Sequence, residues 1–253
     1  MIRKCTEKDR TLLNDYLYQR KELNVFLISD IQNFGFNDEN LEIFIDYDKE
    51  INTIYLKFFK NLCVVSYANI INLEFIKQMV EKNSIIGISG EKSLINLIEL
   101  ENFKVSNFYF AALDKLNIEV DSSGVSEINI DELKGYLEIT NKVFNSQSSF
   151  ESAKAELEKN SKHIFVYKEN GKIISGVSSS AESKELAILM GVFTIEGYRR
   201  KGLAQKCVSA ICDKLIREGK TVCLFYDNPN AAKLYEKLGF KFKEYYSSLK
   251  KIN

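Results

Sequence analysis

Residues 191–210 read Gly191-Val192-Phe193-Thr194-Ile195-Glu196-Gly197-Tyr198-Arg199-Arg200-Lys201-Gly202-Leu203-Ala204-Gln205-Lys206-Cys207-Val208-Ser209-Ala210, and the fold is decided here. The apolar run Leu186 to Thr194 just before the loop predicts a buried strand. A turn at Ile195–Tyr198 leads into a basic loop, Arg199-Arg200-Lys201-Gly202, and then into an amphipathic helix. Leu203, Val208, Ile211, Cys212 and Leu215 share one face of that helix. A strand, a basic glycine loop and a helix start together make a place for an anion. The first helical N–H groups have no partner within the helix, and the macrodipole adds about half a positive charge there. Gly202 lets the backbone approach a ligand, because it carries no Cβ. By itself this loop reads equally well as a basic turn that caps a helix.

The order Arg199-x-x-Gly202-x-Ala204 is more specific, and so is the later stretch Asn228-Pro229-Asn230-Ala231-Ala232-Lys233-Leu234-Tyr235-Glu236-Lys237-Leu238-Gly239-Phe240. Together they resemble the two signatures of the GNAT acetyltransferase superfamily, Q/R-x-x-G-x-G/A followed by N-x-x-A-x-x-L-Y-x-K-x-G-F. The resemblance covers residues 126–253. It implies acetyl-coenzyme A as acyl donor. The pyrophosphate would be held by Arg199, Arg200, Lys201, Gly202, Leu203 and Ala204, and the pantetheine arm would lie along Val192, Phe193 and Thr194 in a gap between splayed strands. Asn228 would bond the arm or an ordered water, and Tyr235 would be the general acid beside the sulfur.

The residues themselves leave other roles open. Tyr235 also fits a core aromatic on an amphipathic helix, in a chain with 13 tyrosines. Asn228 also fits a helix cap. Many family members carry a carboxylate base where Ile188 stands here, and Glu182, Glu185 and His163 are the substitutes that the sequence offers. Glu196 replaces a frequent proline and would mildly repel a pyrophosphate. The acceptor loop implied by the family, Phe144-Asn145-Ser146-Gln147-Ser148-Ser149, is polar and uncharged.

Composition narrows the class further. The 253 residues carry 35 basic and 35 acidic side chains and net zero charge, which disfavours a nucleic-acid partner. The five cysteines are scattered without a C-x-x-C pair, and there is one histidine, so no metal is expected. The odd cysteine count, with no signal peptide read at the start, predicts the cytoplasm. No apolar run is long enough to cross a membrane.

Read in order, the chain predicts β-α-α-β-β-β-α-β-α-β twice. Thr221-Val222-Cys223-Leu224-Phe225 sets against Ser84-Ile85-Ile86-Gly87-Ile88, and Phe240-Lys241-Phe242 against Phe103-Lys104-Val105. The expected class is α/β (α+β): two tandem GNAT-like folds, each a mixed, mostly antiparallel sheet with helices on both faces. Residues 1–117 form the first copy, 118–127 a linker and 128–253 the catalytic copy. The rival organisation is one such fold behind an unrelated α/β domain. Where the second copy has its loop, the first has Asn69-Ile70-Ile71-Asn72, without glycine or a basic residue, and Ile98 stands at the Tyr235 position. The first copy is therefore expected to bind no coenzyme. The activity expected is acetyl transfer to a primary amine of a small molecule or amino acid, by a monomer or homodimer. The alternatives are a non-catalytic acyl-coenzyme A-binding regulatory module and a protein N-acetyltransferase.

Overall fold

The computed structural model describes residues 1–252, and of Asn230 only the backbone. In chain order the elements are β1 (Ile2–Lys4), α1 (Arg10–Leu17), α2 (Val25–Phe34), β2 (Leu41–Asp48), β3 (Glu50–Phe58), β4 (Asn61–Val65), α3 (Leu73–Asn83), β5 (Gly87–Glu91), α4 (Lys92–Ile95) and β6 (Phe103–Leu113). The same order then recurs as β7 (Val125–Glu127), α5 (Ile130–Phe144), α6 (Phe150–Glu158), β8 (Ile164–Glu169), β9 (Lys172–Ser180), β10 (Leu186–Thr194), α7 (Leu203–Arg217), β11 (Thr221–Tyr226), α8 (Pro229–Leu238) and β12 (Lys241–Lys251). The class is mixed α/β with mostly antiparallel strand pairing, as expected.

Two compact units form, and they do not follow the sequence halves. The first comprises Met1–Phe110 with Lys243–Asn253, the second Ala111–Phe242. β12 closes the first unit by pairing antiparallel with β5, Tyr246 opposite Glu91 and Lys250 opposite Gly87. Ala111 and Leu113, at the end of β6, lie in the core of the second unit with Val222 and Leu224. The end of β6, inside the expected range 1–117, belongs to the second unit, and most of β12, inside 128–253, belongs to the first. Periodicity marks a strand but says nothing of its partner, so this exchange is invisible in sequence. The expected linker, 118–127, also differs. Its end forms β7, antiparallel to β8, and Ile118 and Val120 pack against the second unit's core.

In the first unit β2, β3 and β4 pair antiparallel and β4 pairs parallel with β5. Tyr55, Leu62, Val64, Ile76, Ile85, Ile88 and Leu249 form its core under α3. In the second unit helices cover both faces. Ala187 and Leu189 of β10 pack with Cys207, Val208, Ile211 and Leu215 of α7, and Phe193 packs with Leu133 and Tyr136 of α5. That two-sided burial is why β10 reads as an unbroken apolar run.

The first unit also carries a half-buried carboxylate. Asp30 sits on α2 among Leu27, Ile28 and Ile31, and burial alone raises its carboxyl to about 7. Between its usual value of 3.8 and about 7 the folded chain holds a proton that the unfolded chain has lost. Stability therefore falls as pH rises through this window, and the cost is fully present above it. Asp30→Asn is expected to raise stability at pH 8 by about 2 kcal/mol and to flatten the decline between pH 5 and 8, measured by urea unfolding.

Candidate active site

The site is built on how β10 is paired. Leu186, Ala187, Ile188 and Leu189 lie parallel to Thr221, Val222, Cys223 and Leu224 of β11, and the register ends there. On the other edge β10 pairs with β9 through Met190 opposite Ser178, then slips and resumes at Phe193 opposite Gly176. Gly191 and Val192 thus have no registered partner on either side, and Gly191 has a φ of 62°. The two residues form a bulge in β10 where its register with β11 has already ended. Phe193 and Thr194 rejoin β9, where Ser175 Oγ donates to Phe193 O at 2.5 Å.

β10 leads straight into the basic loop. Arg199 Nε donates to Thr194 O at 3.2 Å, and the Lys201 ammonium stands 4.8 Å over the Tyr198 ring. Arg199, Arg200, Lys201, Glu196 and Gly202 are exposed. Gly202 is the N-cap of α7 at φ 77°, ψ 5°, so no side chain caps the helix. The first helical bond is Lys206 N–H to Gly202 O at 3.1 Å, which leaves the N–H groups of Leu203, Ala204 and Gln205 ahead of it. A Cβ added to Gly202 would meet no atom within 4 Å, so the ground beside it is open. No acidic residue stands in the first turn. Buried Leu203, Cys207 and Val208 fix the helix against the sheet.

α8 brings the second motif to the same unit. Asn228 is exposed at the turn before it, and its carbonyl accepts from Ala231 N–H at 2.9 Å. Tyr235 is 7 % exposed and belongs to the core, its ring 5.5 Å from Tyr226 and 5.7 Å from Phe240. Burial pushes its phenol up to about 12. The residue is therefore both the core aromatic and a phenol that holds its proton at neutral pH.

The profile of the GNAT acetyltransferase family matches residues 42–249, most of the chain and parts of both units. The chain belongs to the GNAT acetyltransferase family. Solved structures repeat the fold at low identity. A Drosophila protein superposes with a TM-score of 0.73 at 11 % identity, over 99 % of this chain and 98 % of its own. A GCN5-related N-acetyltransferase from Sphaerobacter thermophilus gives 0.67 at 13 %, over 99 % and 95 %. A GCN5-related N-acetyltransferase-like protein from Streptococcus suis gives 0.64 at 16 %, over 97 % and 98 %. No protein of curated function matches the chain. Among the described residues no helix is long and apolar enough to cross a membrane.

The sequence offered three substitutes for the carboxylate at the Ile188 position. Ile188 is 1 % exposed. His163, Glu182 and Glu185 gather where β10 begins. Glu182 accepts from Ser179 Oγ and the Lys220 ammonium, and His163 Nδ1 lies 2.6 Å from Glu127 Oε1. Glu185 O accepts from Thr221 N–H at 2.8 Å. At about 3.3 Å per residue Glu185 lies roughly 20 Å along β10 from Val192, while His163 and Glu182 are engaged with Glu127, Ser179 and Lys220. His163, Glu182 and Glu218 do lie close enough together to hold a cation, and the Lys220 ammonium already bridges the two carboxylates.

Sequence reasoning missed Tyr136 and Ser178, and it named Phe144 only as the first residue of the acceptor loop. A Cβ on Gly191 would lie 3.7 Å from Tyr136 Oη, 3.7 Å from Phe144 Cε2 and 3.9 Å from Ser178 Oγ. These line the α5 side of the bulge. A glycine inside an apolar strand run was the available signal, since it commonly marks a bulge.

In the first unit the corresponding helix start is already filled. Asn72 Oδ1 accepts from Phe75 N–H at 2.9 Å and so caps α3 itself, and Asn72 N–H is bound by Tyr55 Oη at 2.7 Å.

The ionic cluster gives a stability test. Lys220→Met strips buried Glu182 of its counter-charge and is expected to cost about 3 kcal/mol in urea unfolding. Glu218→Gln, at an exposed carboxylate, is expected to cost less than about 1 kcal/mol.

Proposed function

We propose that the chain transfers an acetyl group from acetyl-coenzyme A to a primary amine of a small molecule, by direct attack of the amine on the thioester. One observation carries this reading: the unpaired bulge at Gly191–Val192 and the uncapped, basic start of α7 belong to one continuous stretch, β10 to α7. Acetyl-coenzyme A supplies an activated acyl group and a good leaving thiolate. The donor set fits an anion, for Arg199, Arg200, Lys201 and the N–H groups from Gly202 to Ala204 offer charge and hydrogen bonds to a pyrophosphate. Backbone N–H groups at Val192 stabilise negative charge on the thioester oxygen. Asn228 orients the coenzyme arm. Tyr235 gives its proton to the departing sulfur, and its raised pKa keeps that proton in place until charge develops.

We assign no coenzyme to the first unit, whose helix start is filled by Asn72. The two units are read as tandem copies, supported by their common element order. The five cysteines are buried and form no disulfide, which supports a reducing, cytoplasmic setting. A monomer or homodimer meets these needs, with no nucleic-acid, membrane or metal partner. A second reading, a non-catalytic acyl-coenzyme A sensor, is favoured by Ile188 at the base position.

Calorimetry is expected to give one acetyl-coenzyme A per full-length chain. Gly202→Val forces a β-branched residue to φ 77° and should weaken binding at least about tenfold. Unchanged affinity would remove the loop from the site, and a stoichiometry of two would overturn the assignment for the first unit.

Tyr235→Phe tests enzyme against sensor. General acid catalysis is worth about 10²–10⁴-fold, so kcat should fall within that range while coenzyme affinity holds. Intact turnover with a small loss of stability would leave Tyr235 a packing residue only. Tight coenzyme binding without turnover of any amine would favour the sensor.

A further inference from the structure

The acetyl-transfer reading leaves the acceptor open, and the α5 side of the bulge narrows it. Cross-strand partners share a face of the sheet. Ser178 is opposite Met190, and its hydroxyl lies beside Gly191 together with Tyr136 of α5 and Phe144 at the end of that helix. Met190 therefore points to the α5 side, as does Ile188 two residues before it. Ala187 and Leu189 point the other way, into the α7 core.

This ground is apolar and open. Met190 is 50 % exposed and Phe144 46 %, next to the two backbone residues that lack ladder partners. Val143 and Phe150 extend the exposed apolar surface on either side of the α5–α6 loop. That loop, Phe144-Asn145-Ser146-Gln147-Ser148-Ser149-Phe150, has no charged residue. Of the three atoms nearest to a Cβ on Gly191, two are hydroxyl oxygens, Tyr136 Oη and Ser178 Oγ.

These surroundings suit one kind of amine. An alkyl ammonium with pKa ~10.4 must shed both water and a proton before it attacks. Met190, Phe144 and Ile188 offer it no counter-charge and no base, and an unpaired charge on apolar ground is penalised. An aryl amine shares its lone pair with its ring and carries no extra proton at pH 7. Its flat apolar body can lie on the Phe144 ring and the Met190 thioether, both good aromatic partners.

We propose that the acceptor is a weakly basic primary amine on an aromatic body, an aryl or heteroaryl amine, seated by Phe144 and Met190. The proposal rests on the acetyl-transfer reading. The amine nitrogen forms the new bond to the acetyl carbon as the C–S bond breaks. Tyr235 protonates the thiolate, and the nitrogen's surplus proton leaves to water, directly or past the hydroxyls of Tyr136 and Ser178.

The test is thiol release by the full-length chain from acetyl-coenzyme A, with substituted anilines, alkyl mono- and diamines and amino acids as separate arms. At pH 7 only about one alkyl amine in 2,500 is neutral, so kcat/KM for anilines should exceed that for alkyl amines by at least about 100-fold. The aniline rate should stay level from pH 6 to 8, while the alkyl rate climbs about tenfold per pH unit. Met190→Glu, at an exposed position, should lower kcat/KM for anilines roughly tenfold and raise it for diamines, since a carboxylate pairs with ammonium. Its coenzyme affinity should be that of the wild type. Preference for alkyl amines or amino acids would overturn the aryl assignment and leave acetyl transfer standing, and so would indifference to Met190→Glu. Coenzyme binding without turnover in any arm would overturn both.

Discussion

The parallel pairing of β10 with β11 ends at Leu189 and Leu224, and the second unit's chemistry depends on that ending. Up to this point β10 is registered with β11 from Leu186, and from Ile188 with β9 as well. Beyond it, the slip between Met190 and Phe193 leaves Gly191 and Val192 without a registered neighbour. Unmet backbone groups in a buried strand are costly unless water or a ligand meets them. The opening persists because both sides are held firmly. Ala187 and Leu189 are packed under α7, and Phe193 is locked against Tyr136 on the other face. The same bulge turns Met190 outward beside Phe144.

α7 depends on the same packing. Cys207, Val208, Ile211, Cys212 and Leu215 have no exposed surface, so the helix cannot shift without opening the core. Its start is fixed where β10 delivers the loop, and Gly202 supplies the left-handed turn without a capping side chain. The first unit repeats the order of elements with the opposite outcome. Its β4 and β5 pair through Val64 and Gly90, where even a Cβ on Gly90 would fall 2.6 Å from Val64 O. Its helix start is satisfied internally by Asn72. One topology thus yields an open, basic helix start in one unit and a closed, self-capped one in the other. Single residues at the cap decide between them.

Much of this was legible in the residues. The loop Arg199-Arg200-Lys201-Gly202 and the stretch Asn228–Phe240 carried the family, because phosphate-binding geometry needs glycine and basic residues at set intervals from a helix start. The apolar run of β10 carried its burial. The absence of glycine and basic residues at Asn69–Asn72 carried the contrast between the halves. All of these are local properties, set by what a residue can do within a turn or two of its neighbours.

Contacts between distant segments were a different matter. Pattern alone marks β6 and β12 as strands, but only tertiary structure decides that β12 pairs with β5 and that the end of β6 joins the core around Val222. The bulge at Gly191 arises from the register of β9 against β10, which no single strand encodes. The groups around it, Tyr136, Phe144 and Ser178, come from α5 and β9 and meet only in the fold. The sequence also offered Glu182 and His163 as bases, and the fold places them at the start of β10 with Lys220. By itself, then, the sequence determined the family, the class of elements and the basic glycine loop before α7, because each rests on short-range stereochemistry. Strand partners, the bulge and the apolar ground beside it were left to the tertiary structure, because each depends on the register between segments far apart in the chain.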